Sequence, residues 1–177
     1  MKLYILPGNH ISNKEWARDL KNSLINNFKK IEMIEYLHWT NNKDIMDLDH
    51  EVEHLKIIMN DEKEFGIIAK SLGCILTLKA IKEKKISPKF IVLLGIPIEW
   101  CKENGIEIEK YIKEFSCPTL LFHNKGDPTI SSDELFEYLE KRKINNYNLI
   151  KLDNNTHDYI NFSKMKEGIN NFLESFD

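Results

Sequence analysis

A serine flanked by small residues is the most chemically suggestive feature of the chain. Residues 69–73, Ala-Lys-Ser-Leu-Gly, lie between an apolar run at 65–69 and a second apolar stretch. On a sharp strand-to-helix turn, the residues two before and two after the serine must be small, because the backbone passes close by. The serine hydroxyl is then exposed beside free helix N–H groups, which stabilise a developing oxyanion. The pattern predicts that Ser71 is a nucleophile.

An aspartate and a histidine follow later apolar runs, where they can complete a nucleophilic site. Asp127 lies in a Gly-Asp-Pro sequence after the fifth run, and His157 follows the sixth. The chain order Ser, Asp, His is typical of hydrolases whose serine lies on a strand-to-helix turn. Each lies just past the carboxyl end of a predicted strand, where one sheet can bring the three side chains within hydrogen-bond reach of one another. Asp153 and Asp158 are the alternatives to Asp127.

Ordinary structural roles compete with each catalytic one. Ser71 can simply cap the following helix, and an aspartate before proline is a common turn former. His157 can be a loop histidine that binds the backbone. We favour catalysis because all three residues follow the carboxyl ends of predicted strands, where one sheet can bring them together. His10 and His123 are less favoured as bases and are expected to line the site.

A second motif points to a different chemistry. Residues 50–54, His-Glu-Val-Glu-His, match the H-E-x-x-H pattern of zinc proteases. On a helix with about 100° per residue, both histidines point away from the apolar stripe that begins at Leu48. A catalytic zinc also needs a third protein ligand and a cleft, and only the acids among residues 61–64 offer such a ligand. We predict a solvated helix face with no metal.

The elements that must position these residues alternate along the chain. Short apolar runs predict strands at 3–6, 31–37, 65–69, 90–94, 119–122 and 147–152. Capping-box patterns, Ser12 with Glu15 and Ser131 with Glu134, predict helices that begin near Asn13 and after Ser131. Strand–helix alternation with strands apolar on both faces predicts an α/β doubly wound fold, a parallel sheet with helices on both faces.

Composition excludes several classes of protein. The formal net charge of −3 provides no excess of positive charge for nucleic acid or an anionic membrane. No apolar stretch approaches the roughly 20 residues of a membrane-spanning helix, and the first apolar run is too brief for a signal peptide. The 3 scattered cysteines favour a reduced, cytoplasmic setting. The length of 177 residues predicts one domain over residues 1–177.

Taken together, these motifs resemble the α/β-hydrolase superfamily, specifically its small members with little or no cap domain. The resemblance runs from residues 3–8, Leu-Tyr-Ile-Leu-Pro-Gly, through 69–73 and Gly-Asp-Pro at 126–128, to His157. It implies a six-stranded sheet in the order 2-1-3-4-5-6. It also implies that Ser71 is the nucleophile, His157 the general base and Asp127 the acid that orients it, in a triad that acts without metal or cofactor.

The resemblance also implies where the oxyanion is held. The backbone N–H of Leu72, the residue after the nucleophile, supplies one donor. The first loop supplies the other, from Asn9 or alternatively from His10. Two residues depart from the common family pattern, since Ala69 stands in place of a glycine and Pro7 in place of a histidine.

The substrate is less well defined by the sequence than the reaction. His10, Lys70 and Trp100 are candidates for the substrate pocket, although Lys70 in solvent and Trp100 in simple packing are the plainer interpretations. Residues 95–117 form the one connection long enough for a partial lid. We predict an esterase-like serine hydrolase for a small acyl substrate. The alternatives are a thioesterase, an aminopeptidase or a non-catalytic binding module. The oligomeric state is not predicted.

Overall fold

The computed structural model describes residues 1–41, 43–112, 115 and 117–175. Within them the strands are β1 (Lys2–Leu6), β2 (Lys30–Met33), β3 (Phe65–Lys70), β4 (Phe90–Leu94), β5 (Thr119–Asn124) and β6 (Asn148–Leu152). The helices are α1 (Asn13–Leu24), α2 (Leu48–Met59), α3 (Leu72–Lys82), α4 (Ile98–Glu103), α5 (Glu109–Ile112), α6 (Ser132–Lys141) and α7 (Phe162–Glu174). A 3-10 turn spans Leu37–Trp39. Each predicted apolar run overlaps one of these strands.

The strands form one parallel sheet in the order β2-β1-β3-β4-β5-β6. Helices α1 and α7 pack on one face, and α2 through α6 pack on the other. The predicted doubly wound class and strand order are therefore confirmed. Because the strands are parallel, their carboxyl ends share one edge of the sheet, and the loops after β3, β5 and β6 meet there.

Strand β3 forms the rigid base of that edge. All of its residues, Phe65–Lys70, are buried. Its side chains alternate between the two faces, so that Ile67 and Ala69 join the cluster with α2 and α3 while Ile68 joins the cluster with α1 and α7. A strand held from both faces leaves the residue after it little freedom to move.

Two local predictions need correction. Strand β2 ends at Met33, short of the predicted 37, because the chain turns away after Ile34 donates to the Ile5 carbonyl at 2.9 Å. The capping box at Ser12 is also absent, because the Ser12 hydroxyl is hydrogen bonded to the His10 ring at 2.8 Å. Helix α1 nevertheless begins at Asn13 as predicted. The second capping box, at Ser131, is confirmed.

The connection expected to act as a partial lid contains two short helices. These are α4 and α5, whose buried side chains include Ile98, Cys101 and Ile112. These side chains belong to the core cluster that covers one face of the sheet. Residues 113, 114 and 116 of this connection lie outside the described part. Among the described residues, no helix is long and apolar enough to span a membrane.

Candidate active site

Ser71 occupies a strained turn between β3 and α3. Its φ of 53° and ψ of −124° lie in a region that non-glycine residues rarely adopt. The Ser71 N–H donates to the Leu94 carbonyl at 2.9 Å, which ties the turn to β4. A Cβ on Gly73 would lie 2.5 Å from the Pro7 carbonyl oxygen, so glycine allows the first loop to approach the helix start. The small residue in the motif therefore has the steric role that the sequence predicted.

The structure brings Ser71, His157 and Asp127 together in one hydrogen-bonded chain. Nε2 of His157 lies 2.9 Å from Oγ of Ser71. Nδ1 of the same ring lies 2.8 Å and 3.0 Å from the two carboxylate oxygens of Asp127. Because a carboxylate only accepts, Nδ1 carries the proton and Nε2 presents its lone pair to the hydroxyl. Chemically, such an arrangement can supply a nucleophile, a base and an acid that orients the base.

Asp127 is buried and fully engaged. The residue is 3% exposed. Its oxygens also accept hydrogen bonds from the Thr129 N–H at 2.9 Å, the Thr129 hydroxyl at 2.8 Å and the Tyr159 hydroxyl at 2.7 Å. Burial alone would raise the pKa of Asp127, but the bonds from His157, Tyr159 and Thr129 outweigh it and lower the pKa to about 2. The acid is therefore a carboxylate throughout the neutral range.

Tyr159 is a site residue that the sequence did not reveal. It is 1% exposed, and its hydroxyl accepts from the Asn124 N–H at 3.3 Å while donating to Asp127. Burial, with the neighbouring Asp127 charge, raises the pKa of Tyr159. Gly95 has a φ of +60°, and a Cβ there would lie 2.5 Å from the Tyr159 ring and 2.9 Å from His157. Only the contact between the β4 and β6 loops makes either residue recognisable.

The alternatives for acid and base lie elsewhere. Asp153 forms an ion pair with Lys125 at 2.5 Å, and Asp158 is exposed, so His157 pairs with Asp127 alone among the described carboxylates. His123 is fully buried, and its Nε2 bonds the Ile130 carbonyl at 2.7 Å. Desolvation lowers the pKa of His123. It braces the loop that carries Asp127 rather than reaching the hydroxyl.

Two backbone N–H groups were predicted to bind an oxyanion. Leu72 begins α3 directly after the serine, so its N–H has no partner within the helix. Neither the Leu72 N–H nor the Asn9 N–H donates to any described residue. Both donors are therefore available to a ligand. Helix α3 adds its positive dipole end beside the serine.

The loop that carries Asn9 is held through its other polar groups. The Asn9 carbonyl accepts from Nε2 of His38 at 2.9 Å and from Nε1 of Trp39 at 2.7 Å. The Asn9 side chain donates to the Asp44 carbonyl at 2.6 Å and accepts from the Met46 N–H at 2.9 Å. Four hydrogen bonds therefore fix this residue while leaving its N–H unused.

The three substrate-pocket candidates differ in environment. Lys70 is only 7% exposed, so the expectation that it lies in solvent is wrong. Its ammonium donates to Oδ1 of Asn13 at 2.9 Å and lies 5.3 Å from the centre of the Trp16 ring. Burial lowers the pKa of Lys70. His10 is exposed next to Asn9, and Trp100 packs half-buried against the core.

The motif at residues 50–54 does not form a metal site. Among the described residues, no group of histidine, cysteine and acidic side chains is arranged to hold a metal. The side chain of His50 is 74% exposed and that of His54 is 24% exposed, so only the first histidine points fully to solvent as expected. Glu51 between them is 1% exposed and lies 3.5 Å from Nδ1 of His38. The sequence did not indicate this burial.

The sheet order, the serine turn and the helices on both faces define an α/β-hydrolase fold. Est1E from Butyrivibrio proteoclasticus, solved with ferulic acid, matches with a TM-score of 0.74 and 12% identity over 98% of this chain and 88% of that one. Mouse alpha/beta hydrolase domain-containing protein 10 matches with a TM-score of 0.73 and 13% identity, covering 99% and 90% of the two chains. The Pyrococcus furiosus esterase Pf2001 matches with a TM-score of 0.70 and 15% identity, covering 98% and 80%.

These likenesses lie in the backbone. No protein-family model matches the chain, and no curated protein matches it by sequence. At 12–15% identity the solved structures establish the fold and leave the activity of this chain to be argued from its own site. The resemblance inferred from the sequence motifs is thereby confirmed at the level of the fold.

Proposed function

We propose that this protein is a serine hydrolase that cleaves carboxylic esters or related acyl compounds. The observation that carries the proposal is the hydrogen-bonded chain from Ser71 through His157 to Asp127, with links of 2.9 Å and 2.8 Å. The alternative of a non-catalytic module on the same scaffold predicts a serine hydroxyl far from the histidine. The measured separation speaks against it.

The reaction follows from the proton positions. Nε2 of His157 takes the Ser71 proton as Oγ attacks the acyl carbon, and the imidazolium then gives that proton to the leaving group. Asp127 keeps its charge and stabilises the imidazolium. The acyl-enzyme is hydrolysed by water, which His157 activates in the same way. These steps use only side chains and backbone of the protein.

The oxyanion of the tetrahedral intermediate would accept from the N–H groups of Leu72 and Asn9. Removing one such donor from an oxyanion hole typically costs about 100- to 1000-fold in kcat. Most substitutions leave a backbone N–H in place, so the contribution of the Asn9 N–H is best tested through the groups that hold its loop. His10 is the alternative source of the second N–H.

The substrate-side proposal centres on Lys70. Its ammonium is buried and adjacent to the nucleophile in sequence, and no described carboxylate forms an ion pair with it. The negative charges of Asp158 and Asp127 act on the ammonium without a direct contact, and a buried charge with no direct ionic partner is costly. We propose that an acidic group of the acyl substrate completes the site, with His10 and Trp100 as further pocket residues. In Lys70→Met, kcat/KM should fall for an ester substrate that carries a carboxylate. For the analogue in which a methyl group replaces that carboxylate, kcat/KM should stay within about threefold of the wild-type value.

The class of leaving group is a matter for direct assay. A Ser-His-Asp triad attacks esters, thioesters and aminoacyl amides by the same steps. A panel of all three with one common acyl group separates an esterase from a thioesterase or an aminopeptidase. We propose that the substrate is a small molecule and that the protein acts as one domain in the cytoplasm. We propose no nucleic-acid or membrane partner.

The decisive test of the nucleophile is covalent labelling. A fluorophosphonate probe should label the wild-type protein and should leave Ser71→Ala unlabelled. The matched control is Ser23→Ala, near the end of α1, which should label like the wild type. Peptide mass spectrometry should find the adduct on Ser71. Equal labelling of wild type and Ser71→Ala would reject this serine as the nucleophile.

A further inference from the structure

We propose that His38 and Glu51 form a positioning pair that holds the Asn9 backbone ready to bind the oxyanion. The inference rests on the proposed hydrolase function, since an oxyanion forms only if Ser71 attacks an acyl group. It assigns a role to a buried glutamate and a buried histidine that take no part in the proposed triad. The catalytic N–H remains that of the backbone.

The first step is the geometry around Asn9. Its carbonyl accepts from both His38 and Trp39, neighbours on the 3-10 turn that follows β2. Pro7, two residues earlier, accepts from the Tyr36 hydroxyl at 2.6 Å. Side chains of residues 36–39 therefore donate hydrogen bonds to the carbonyls of Pro7 and Asn9 in the first loop. Because each peptide unit is planar, fixing the Asn9 carbonyl fixes the His10 N–H of the same unit. The Asn9 N–H belongs to the preceding unit and is placed through Cα of Asn9, because the carbonyl and the side chain on that Cα are both held.

The second step is the orientation of the His38 ring. The Asn9 carbonyl can only accept, so Nε2 of His38, 2.9 Å away, must carry a proton. Nδ1 faces Oε1 of Glu51 at 3.5 Å, and the same oxygen accepts the His38 N–H at 3.2 Å. Glu51 therefore contacts both the backbone and the ring of His38, and these contacts orient Nε2 towards the Asn9 carbonyl.

The third step is burial. His38 is 3% exposed and Glu51 is 1% exposed, while the second oxygen of Glu51 lies 3.4 Å from Nδ1 of His54. Burying polar groups costs free energy that their hydrogen bonds largely offset, so these contacts are a weak source of net stability. They nevertheless keep the His38 ring in one orientation, because a closely packed interior leaves a buried side chain little room to turn. The pair is thus better suited to hold a carbonyl in place than to stabilise the fold.

The test compares variants that keep or lose the donor to Asn9. In His38→Asn the shorter amide no longer reaches the carbonyl, whereas the His38→Gln amide nitrogen replaces Nε2. We expect kcat to fall about 10- to 100-fold in His38→Asn and about 10-fold in Glu51→Gln, because a misplaced catalytic group costs up to about 100-fold. His38→Gln should recover to within about threefold of wild type.

The diagnostic measurement is affinity for a transition-state analogue. A boronic acid that forms a tetrahedral adduct on Ser71 should bind His38→Asn more weakly by the same factor as the loss in kcat, while KM changes little. Glu53→Gln is the matched control, since its side chain is 52% exposed on the same helix. The control should behave like wild type in both assays.

The outcomes separate the two proposals. If the wild type is labelled at Ser71 and His38→Asn keeps wild-type kcat and boronate affinity, the positioning pair is rejected and the hydrolase proposal stands. A loss of thermal stability with no selective loss of boronate affinity would likewise reject it, in favour of a purely structural role. If the wild type is not labelled at all, the hydrolase proposal fails and takes this inference with it.

Discussion

Two regions of the molecule contain the same two kinds of side chain, a histidine and a carboxylate. The first region lies next to Ser71 and contains His157 and Asp127, and the second lies next to Asn9 and contains His38 and Glu51. In each, a buried carboxylate faces Nδ1 of a histidine, at 2.8 Å for Asp127–His157 and 3.5 Å for Glu51–His38. In each, Nε2 lies 2.9 Å from an oxygen. That oxygen is the Ser71 hydroxyl for His157 and the Asn9 carbonyl for His38. The two histidines therefore differ in the chemistry that they can perform.

A hydroxyl can give up its proton, whereas a carbonyl can only accept one. His157 therefore presents a lone pair and can act as a base, while His38 must present N–H and can only hold its neighbour. The side chain of His157 is 26% exposed, and that of His38 is 3% exposed, so only the first can meet a substrate. A histidine–carboxylate pair thus acquires its role from the third group that it faces.

The same substitution at both histidines gives the largest predicted contrast. Glutamine can replace Nε2–H as a donor, but it cannot accept and return a proton. His157→Gln should lower kcat by about 10,000-fold or more, whereas His38→Gln should stay within about threefold of wild type. Steady-state hydrolysis of one ester by both variants checks this. Comparable losses would show that the two regions share one role.

The hydrogen bond from Tyr159 to Asp127 is a feature of the Ser71 region. Substituting Tyr159 tests how much it contributes. Tyr159→Phe deletes a 2.7 Å hydrogen bond to Asp127 in a buried site. Hydrogen bonds to charged groups contribute about 1.5–3 kcal/mol, so the free energy of unfolding should fall by that amount. Urea denaturation at neutral pH measures it. An unchanged midpoint would mean that another donor replaces the hydroxyl.

Acid should weaken the Asp127 region in a defined range. The folded pKa of Asp127, about 2, lies below its ordinary value of 3.8, so its stabilising contribution is complete above pH 3.8 and is lost as the pH falls towards about 2. The loss should be about 2 kcal/mol in the free energy of unfolding. Urea titrations across this range should show it in wild type. Asp127→Asn should show a correspondingly flatter dependence.

The smallest effect is expected at His50, beside Glu51 in the zinc-protease motif. Its side chain is 74% exposed, so His50→Ala should change the free energy of unfolding by less than about 0.5 kcal/mol and leave hydrolysis unchanged. The protein purified without added metal should hold no stoichiometric zinc. Zinc that is bound by wild type and lost in His50→Ala would restore the metal interpretation of the motif.

Local patterns in the sequence predicted much of the fold and the proposed triad. Apolar runs identify the strands, and small residues around Ser71 identify the turn, because backbone crowding there acts over only five positions. The chain order of Ser71, Asp127 and His157 then selects three residues that the parallel sheet brings to one edge. Their catalytic roles remain predictions until they are tested by substitution.

The failures come from contacts between distant segments. Ser12 matches a capping box, but its hydroxyl is taken by His10. Lys70 looks like a surface residue, yet the packing of α1 over the end of β3 buries it against Trp16. Periodicity gives the face of a helix relative to its own axis, and it cannot say which neighbour covers that face.

Ser71 stands on a turn that its immediate neighbours encode, and this is what the sequence by itself determined. Two contacts were decided only by the tertiary structure, the hydrogen bond from Tyr159 to Asp127 and the contact between Glu51 and His38. The residues that they join lie 32 and 13 positions apart in the sequence. Steric rules act along the chain and can be read locally, whereas a hydrogen bond between loops depends on how the sheet brings those loops together.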